Sequence, residues 1–555
     1  MNKKMSIIYL FSWLIAAFGQ AAWVPFLGPF AASMGFALFW YACRDLAQRK
    51  QLIIHSTVWY ATIHLVHLSW MTAINYAGPL ILIAYFGLAL LAGIQFACLT
   101  WWFLREERLS VTRLLCGCAF WVWMEWSRLW IFCGHPWGAW GIYYAWSSYA
   151  FQMATLFGVY GLSFWVALSN GMFYRWLLSK TKSHCFFSLS IIFLPYLFSW
   201  GHITYHQSII KSSSPPILRV ALVQPAQYPD ELLEFDGPRG FIHFIYEQWL
   251  EIFTLIKDLK KQNIDLLVFP EGSIPGGDYT SLFHLDLIQE AFQEHFNPIS
   301  MNFLAPLKEP IAREMKIESK KNWVVSNAYI AQSLANYLDL DLIIVMEGIE
   351  RKNGERVATY NSAFTFGANE GVLGRYDKRI LLPVAEYIPF EWARSLSAHF
   401  GIYNSFTPGT HSLVVNGKKA NIALAICYEE MYGHMMRDNL SLGADVLVGI
   451  SNDVWYPNSK LAKQHFYQSI YRSVECGIPV LRSSNVGLTA AIDSLGSIKE
   501  KVDEDNLWNS SVLIADIPLY KYNTIYSICG DYFILVLSFV IVFICFLFEN
   551  RRFCN

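Results

Sequence analysis

Residues 421–429 read NIALAICYE, a short aliphatic run that ends in a cysteine, a tyrosine and a glutamate. A run of this length, bounded by polar residues, predicts a buried β-strand. Similar runs recur on both sides of it and alternate with stretches of helical periodicity. This alternation predicts an α/β layered domain of about 300 residues, which is long enough to bury its own core.

The predicted strands of this domain share a short apolar core with turn-forming residues at their ends. They cover 217–225, 264–272, 340–348, 358–367, 421–429, 444–453, 479–487, 489–498 and 510–518. Helices are predicted over 241–262, 429–440 and 460–476. The stretch KSSSPP, residues 211–216, is rich in serine and proline and predicts the linker into the first strand.

Three ionisable side chains of different kinds lie at or near strand ends, where catalytic residues of open α/β sheets collect. Glu271 ends a strand in LLVFPEG, Lys378 lies in GRYDKRILLPVAEYIP, and Cys427 ends the strand in IALAICYEE. A free thiol is only a few per cent ionised at neutral pH and therefore needs activating neighbours. A carboxylate can accept the thiol proton, and an ammonium can favour the thiolate and stabilise an oxyanion.

The distribution of cysteines is compatible with a reactive thiol at position 427. Of the eleven cysteines, nine fall in or beside strongly apolar stretches, which leaves Cys427 and Cys476 in the predicted α/β domain. Two cysteines do not make a disulfide framework. A bridge between these two and a buried core thiol at 427 are the alternatives. The polar Tyr428 and Glu429 that follow directly favour an exposed rim.

The composition of the whole chain indicates a membrane protein. Of 555 residues, 54% are hydrophobic and only 15% are charged, against roughly 25% charged in soluble domains. Sixteen of the charged residues fall within residues 1–204, and most of the others lie between 205 and 525. The net charge of −1 gives no electrostatic basis for binding nucleic acid.

Eight apolar runs are long enough to cross a bilayer, which takes roughly 20 residues. They are 5–20, 23–43, 52–73, 79–103, 114–133, 149–173, 185–204 and 531–548. We therefore predict a multi-span α-helical membrane bundle of about eight helices. The predicted domains are residues 1–204 with seven spans, 205–525 with the catalytic residues, and 526–555 with a closing span and a cytoplasmic tail.

The distribution of basic residues predicts the orientation of the spans. With the N-terminus inside, the inner segments contain Lys3, Lys4, Arg44, Arg49, Lys50, Arg105, Arg108, Arg113, Arg175, Lys180, Lys182, Arg551 and Arg552. The outer loops near 21–22, 74–78 and 134–148 contain no lysine or arginine. The positive-inside rule then places the large domain on the outer side. A cleaved signal peptide over residues 1–20 is the alternative, but it would break this alternation.

Glu125 and Arg128 lie inside an otherwise apolar run, WVWMEWSRLW. Three residues apart, they share one helical face, and the cost of burying a lone charge predicts that they pair. Two interpretations stay open: a structural intramembrane salt bridge, or a contact with a lipid head group that enters from the outer leaflet.

Three motifs in this order, FPEGSIP (269–275), YDKRILLPVAEYIP (376–389) and AICYEE (425–430), resemble those of the nitrilase superfamily. With seven preceding spans and one following, the chain resembles the apolipoprotein N-acyltransferases of the bacterial inner membrane. Further similar stretches are EWSRLWIFCGHPWG (125–138), GVYGLSFWV (158–166), SNDVWY (451–456), 464–493 and TIYSICGD (524–531). The resemblance implies a nitrilase-like α-β-β-α sandwich for the outer domain.

The resemblance also implies roles for individual residues. Glu271 corresponds to the general base, Lys378 to the residue that stabilises the transition state, and Cys427 to the nucleophile. Glu386 matches the family's second glutamate, which helps to hold the triad, and Tyr428 and Glu429 match supporting residues after the nucleophile. The alternatives are structural: Lys378 could pair with Asp377, and Glu386 could cap a turn beside Pro383 or Pro389.

The chain departs from the family pattern at several places. Val384–Ala385 stands where the family has Phe-Gly, and His135 replaces a phenylalanine. The region 276–340 is longer than in typical members. For the aromatic residue that the family places after the first strand, Phe235 is the candidate.

The function that the resemblance implies is transfer of an acyl chain from a phospholipid to the N-terminal amine of the diacylglyceryl cysteine of apolipoproteins. The expected location is the bacterial inner membrane, with a periplasmic catalytic domain. The protein is expected to be a monomer that uses no cofactor, and the fourteen histidines form no cluster with metal-ligand spacing. Two alternatives are a membrane-tethered amidase or nitrilase that uses water as acceptor, and a transporter or assembly protein that has lost catalysis.

Overall fold

The computed structural model describes residues 2–46, 48–74, 78–79, 81–131, 134–228, 233–317, 320–383, 385–388 and 406–553. The chain divides into two compact units. A helical unit comprises Met1–Ser214, Tyr456–Gly477 and Tyr522–Asn555, and an α/β unit comprises Pro215–Trp455 and Ile478–Lys521.

The helical unit begins with seven helical segments. They are α1 (Lys3–Phe18), α2 (Pro25–Cys43), α3 (Arg49–His67), α4 (Ile81–Leu104), α5 (Val111–Ser127), α6 (Ala154–Ser179) and α7 (Lys182–Ser213). Among the described residues, α2, α4, α6 and α7 are long and apolar enough to cross a membrane. The predicted helical membrane region is thus confirmed with four candidate spans.

Helix α7 corrects the predicted linker at 211–216. The helix continues to Ser213, and the following Ser214 has a left-handed conformation that ends it. Pro215 and Pro216 then exclude a further helical turn because proline has no N–H to donate. The linker is therefore shorter than predicted.

Helix α6 is interrupted near its start at Gly158. Its φ of +66° is a conformation that glycine adopts without strain. Because of this break, the N–H of Val159 does not take part in the backbone hydrogen bonds of the helix. It donates instead to Glu475 Oε1 at 2.8 Å. Glu475 is itself buried and lies 3.1 Å from the Arg472 guanidinium.

The α/β unit contains fifteen described strands and four longer helices. The strands are β1 (Ile217–Gln224), β2 (Leu266–Val268), β3 (Phe283–His284), β4 (Ala312–Ile317), β5 (Lys320–Val325), β6 (Asp341–Lys352), β7 (Glu355–Gly367), β8 (Gly371–Asp377), β9 (Val414–Asn416), β10 (Asn421–Ile426), β11 (Val446–Ser451), β12 (Val480–Ser484), β13 (Ala490–Ile492), β14 (Ile498–Lys501) and β15 (Ser511–Pro518). The helices are α8 (Gly237–Ile256), α9 (Leu285–Phe296), α10 (Asn327–Leu338) and α11 (Gly433–Ser441).

Two six-stranded sheets form the sandwich. One has the order β15-β1-β2-β6-β7-β8 and the other β14-β13-β12-β11-β10-β9, while β3-β5-β4 form a small third sheet within the extended 276–340 region. Strands β1, β2 and β6 run parallel, as do β10, β11 and β12. The carboxyl ends of the strands in each parallel set therefore meet at one edge, where loops can carry catalytic groups.

Alternating side chains of β1 contribute to two cores. Val220 and Leu222 pack between the two large sheets, against residues such as Leu424 and Val448 of the second sheet. Ala221 and Val223, which point to the opposite face of β1, belong to a second core with helices α8, α9 and α10. A strand buried on both faces reads as a continuous apolar run. The predicted α/β sandwich is thus confirmed.

Two predicted elements of this unit differ in detail. The strand predicted over 489–498 is two short strands, β13 and β14. Between them, Asp493 Oδ1 accepts the N–H groups of Leu495 and Ser497 and fixes a turn. The helix predicted over 429–440 is preceded by the short 3₁₀ helix Cys427–Met431.

Two longer helices follow α11 and belong to the helical unit, with the short helix Ile525–Cys529 between them. Helix α12 (Leu461–Cys476) connects β11 to β12, and α13 (Tyr532–Phe553) follows β15. Helix α13 contains a shorter apolar segment, Tyr532–Leu547.

Candidate active site

Lys378 lies between two carboxylates directly after β8. Its ammonium Nζ is 3.2 Å from Glu271 Oε1 and 2.8 Å from Glu386 Oε1, and only 1% of its side chain is exposed. Burial alone lowers the pKa of Lys378, but the charges of Glu271 and Glu386 outweigh burial and hold the pKa well above its ordinary value. The amine is therefore a fixed positive charge in a nearly dry site.

The alternative partner of Lys378, Asp377, is engaged elsewhere. Asp377 Oδ1 accepts from Ser362 Oγ at 2.5 Å and from Arg375 Nε at 2.7 Å. Consecutive residues of an extended strand point to opposite faces, so Asp377 and Lys378 face different neighbours.

Asn361 is a site residue that sequence reasoning missed. It lies in the middle of β7, and its amide nitrogen donates to Glu271 Oε1 at 2.7 Å and to Glu386 Oε1 at 3.0 Å. The sequence gives no distinct signal for this residue, because Asn361 stands between Tyr360 and Ser362 in a strand that also contains Thr359. Glu386 also accepts the Leu382 N–H at 2.6 Å, so this glutamate caps a turn and contacts the lysine at the same time.

Cys427 begins a sharp turn directly after β10. Its φ is +53°, a conformation that residues other than glycine rarely adopt and that is typical of functional sites. The next residues form the 3₁₀ helix Cys427–Met431, whose first turn includes the N–H of Tyr428. The structure has no disulfide between Cys427 and Cys476.

The electrostatic surroundings keep the resting thiol protonated. Burial raises the pKa of Cys427 well above its ordinary value, and the charges of Glu271 and Asp453 raise it further, whereas Lys378 lowers it. Both predicted partners, Glu271 and Lys378, thus contribute to the pKa of the thiol. Nucleophilic attack then requires that the thiol proton moves to a base during the reaction.

Glu429 ties the turn after Cys427 to the segment after Lys378. The buried carboxylate accepts four hydrogen bonds, from the N–H groups of Arg379, Ile380 and Ile426 and from the Tyr376 hydroxyl. Burial raises the pKa of Glu429, and the hydrogen bonds oppose this effect. These hydrogen bonds hold the two chain segments together, and the supporting role of Glu429 stays a prediction. The Tyr428 ring packs against Tyr432 with 5.3 Å between centroids.

A second buried charge cluster adjoins the turn that follows Cys427 and was also missed from the sequence. The fully buried Arg482 of β12 donates to Glu430 at 3.0 Å, to Asp453 at 3.2 Å and to Ser451 at 3.0 Å. Gly449 leaves room for this contact, because a Cβ there would come within 1.6 Å of Glu430 Oε1. The cluster thereby links the turn that follows Cys427 to the end of β11.

The chain is similar to known proteins along most of its length. Residues 219–525 match the family model for carbon-nitrogen hydrolase, and residues 8–172 match that for the apolipoprotein N-acyltransferase N-terminal domain. The apolipoprotein N-acyltransferase of Chlamydia pneumoniae is 31% identical over 553 residues, which are 96% of this chain and 95% of the relative. This chain belongs to the apolipoprotein N-acyltransferase family. The enzyme of Haemophilus ducreyi is 25% identical and covers 98% of this chain.

Membership of the apolipoprotein N-acyltransferase family confirms the predicted activity. The protein is a multi-pass membrane enzyme that transfers an acyl group to an amine in lipoprotein maturation. The family implies a phospholipid as acyl donor and an apolipoprotein as acceptor. Among the described residues, no group of three or more histidine, cysteine, aspartate or glutamate side chains could hold a metal ion.

Phe235, His135 and Ala385, three of the residues that depart from the family pattern, lie within the described residues. Phe235, the candidate aromatic after the first strand, packs against Phe241 at 5.2 Å and Phe244 at 5.1 Å between centroids. His135 is buried in the helical unit. Val384 lies outside the described residues.

The predicted ion pair between Glu125 and Arg128 does not form within the described part of the helical unit. Glu125 Oε1 instead accepts the Trp121 indole N–H at 2.9 Å and the Trp140 backbone N–H at 2.8 Å. Arg128 Nε donates to Gln95 Oε1 at 2.7 Å. Glu125 is 2% exposed and Arg128 3% exposed. A contact of this pair with a lipid head group stays a prediction.

Replacing Glu125 by leucine is expected to lower the thermal unfolding midpoint of the protein in detergent micelles. The substitution leaves the Trp121 and Trp140 donors without an acceptor, and each unsatisfied buried donor costs roughly 1–3 kcal/mol. Glu125→Gln keeps an acceptor oxygen and is expected to lose less. A leucine variant as stable as the wild type would show that these two hydrogen bonds contribute nothing.

The alkylation rate of Cys427 by iodoacetamide is expected to keep rising with pH beyond about pH 8.5, the ordinary pKa of a thiol. Only the thiolate reacts, and its fraction grows until the pH passes the raised pKa. Glu271→Gln removes a negative charge and is expected to speed alkylation at a given pH, whereas Lys378→Met is expected to slow it. Labelling followed by peptide mass spectrometry measures the alkylation rate of Cys427 in the wild type and in each variant. A wild-type rate that stops rising below about pH 7 would contradict the assigned charges.

Proposed function

We propose that Cys427 carries the acyl group as a thioester between the two substrates. In the first step its sulfur attacks the ester carbonyl of a phospholipid acyl chain while the thiol proton moves to Glu271. The bond between the carbonyl carbon and the glycerol oxygen breaks, and this oxygen takes the proton from Glu271. Lysophospholipid leaves, and the acyl chain stays on the sulfur.

In the second step the α-amine of the diacylglyceryl cysteine attacks the thioester. Glu271 takes a proton from the amine, the carbon–sulfur bond breaks, and the departing sulfur takes that proton back. The products are an N-acylated lipoprotein and the original thiol. A covalent intermediate of this kind predicts ping-pong kinetics.

Lys378 and the Tyr428 N–H are proposed to stabilise the oxyanion in both steps. The observation that carries the proposal is the buried Lys378 ammonium, held 3.2 Å from Glu271 and acting on the Cys427 thiol. A fixed cation in a dry site stabilises developing negative charge without reorganisation. Glu386 and Asn361 keep this cation in place through the contacts described above.

The domain arrangement proposed for the enzyme is the one predicted from the sequence. Residues 1–204 and 526–555 cross the bacterial inner membrane with eight spans in total, and residues 205–525 lie in the periplasm. The basic residues of the inner loops support this orientation. We further propose that the enzyme acts as a monomer, because one chain supplies the acid, the amine and the thiol.

N-acylation of a diacylglyceryl lipopeptide by the purified enzyme and phospholipid tests the function. One acyl chain per lipopeptide and one lysophospholipid per acyl chain are expected by mass spectrometry. A variant at Cys185, which lies in α7 outside the proposed site, serves as the cysteine control. Release of free fatty acid or hydrolysis of small soluble amides at the same rate, without lipopeptide product, would support the water-dependent hydrolase instead.

A further inference from the structure

A groove lies in the α/β unit beside the loop that follows β1. Its volume is about 570 Å³, within the size range of ligand pockets. Residues of the loop, of helix α8 and of the segment before β15 line it, including Gln227, Tyr228, Phe244, Gln248, Glu251 and Trp508. We call this cavity the β1 groove.

The walls of the β1 groove combine aromatic rings with hydrogen-bonding side chains. The rings of Tyr228 and Trp508 lie 4.9 Å apart, and 63% of Tyr228 is exposed. Gln227 and Gln248 are more than nine-tenths buried. The Gln227 side-chain oxygen has no hydrogen-bond partner, and a buried acceptor of this kind indicates a missing donor.

The charge and polarity of the groove decide which part of the two substrates fits it: a phosphate group, an acyl chain or a polypeptide. Glu251 is the one charged side chain among the described lining residues, so a phosphate group would meet a negative charge and no cation. An acyl chain has no donor for the buried Gln227 side-chain oxygen, and leaving this acceptor unpaired is costly. A polypeptide supplies N–H donors for the amide oxygens and side chains for the aromatic walls.

We propose that the β1 groove binds the polypeptide of the acceptor, namely the residues that follow its diacylglyceryl cysteine. This inference rests on the proposed function, because it places the peptide relative to the reacting amine. Recognition is through main-chain amides and aromatic packing, which suits an enzyme whose acceptors share the modified cysteine and differ beyond it.

Hydrogen bonds connect the groove to the loop that carries Glu271. The Asn485 side chain accepts from the Gln227 N–H at 2.8 Å and donates to the Gln227 carbonyl oxygen at 2.8 Å. Asn485 also donates to Asn452 Oδ1 at 3.2 Å. Asn452 in turn borders Gly272, where a Cβ would come within 2.9 Å of the Asn452 amide. Two side chains thus separate the groove wall from the residue next to Glu271.

The test compares two acceptors that share the diacylglyceryl cysteine. The long acceptor has about ten residues after the cysteine, and the short acceptor ends as a cysteine amide. Trp508→Ala and Tyr228→Ala are expected to raise KM for the long acceptor about tenfold, as loss of one aromatic contact does. KM for the short acceptor and the rate of thioester formation on Cys427 without acceptor are expected to stay unchanged. Leu287→Ala, an exposed change on α9 outside the groove, is the matched control.

A photo-crosslinker in the long acceptor gives a readout besides activity. Adducts are expected on the peptides that contain Tyr228 or Trp508, and the Trp508→Ala variant is expected to lose them. Unchanged KM for the long acceptor together with crosslinks elsewhere would overturn the groove assignment. A similar rise in KM for both acceptors would also overturn it, because the groove would then not discriminate peptide. Absence of any thioester in the wild type would instead refute the proposed function.

Discussion

Replacing Cys427 by alanine is expected to abolish N-acylation, with a loss of at least about 10⁴-fold in kcat. The substitution removes the sulfur that, in the proposed mechanism, attacks the donor ester. The fold is expected to persist, since a small side chain fits the turn and the four hydrogen bonds of Glu429 do not involve the thiol.

The measurement for the Cys427 variant is the initial rate of lipopeptide acylation in detergent micelles. The matched control is Cys185→Ala, which is expected to retain wild-type activity. Thermal unfolding of both variants separates loss of the nucleophile from loss of the fold. Turnover of the Cys427 variant within about tenfold of wild type would refute covalent catalysis at this residue.

Replacing Lys378 by methionine is expected to reduce kcat by about 10²–10³-fold, the usual effect of removing one oxyanion donor. The change also leaves Glu271 and Glu386 side by side without the cation between them. Removing one partner of a buried ion pair costs about 3–5 kcal/mol, so a lower unfolding midpoint is expected as well.

A double variant separates the two effects of losing Lys378. Lys378→Met combined with Glu386→Gln restores the charge balance and is expected to recover much of the stability but little of the activity. Lys419→Met serves as the control, because Lys419 forms an ion pair with Asp265 and is about half exposed. Recovery of activity in the double variant would show that Lys378 acts only by neutralising its neighbours.

The sequence predicted the elements and residues whose signals are local. The apolar run at 217–225 corresponds to β1, and the polar residues after β10 lie at the edge that carries the candidate site. Local signals of this kind depend on the spacing of neighbours along the chain. The resemblance implied that Glu386 helps to hold the triad, and the structure places its Oε1 2.8 Å from the Lys378 ammonium.

Contacts between distant segments could not be predicted in this way. Asn361 and Arg482 contact residues from other segments, and a polar residue within a strand does not by itself specify its partner. Glu125 and Arg128 share a helical face, as predicted, but Trp140 and Gln95 supply their partners. Which group satisfies a buried polar atom depends on the tertiary packing.

The number of membrane spans could not be predicted from the sequence alone either, because some of the helices are short. Helix α5 has 17 residues and α1 has 16, close to the lower limit for crossing a bilayer. Hydropathy alone does not decide whether such helices span the membrane, since burial against other helices also favours apolar residues. The eight-span arrangement therefore stays a prediction, which reporter fusions to the loops would test.

Trapping the acyl-enzyme tests the central claim most directly. The enzyme is incubated with phospholipid and no acceptor, denatured in acid, digested and examined by mass spectrometry. The account predicts one acyl chain on the peptide that contains Cys427, sensitive to neutral hydroxylamine and transferred to lipopeptide when acceptor is added. An unmodified Cys427 under conditions of continued turnover, or an acyl chain on another residue that transfers at the same rate, would contradict it.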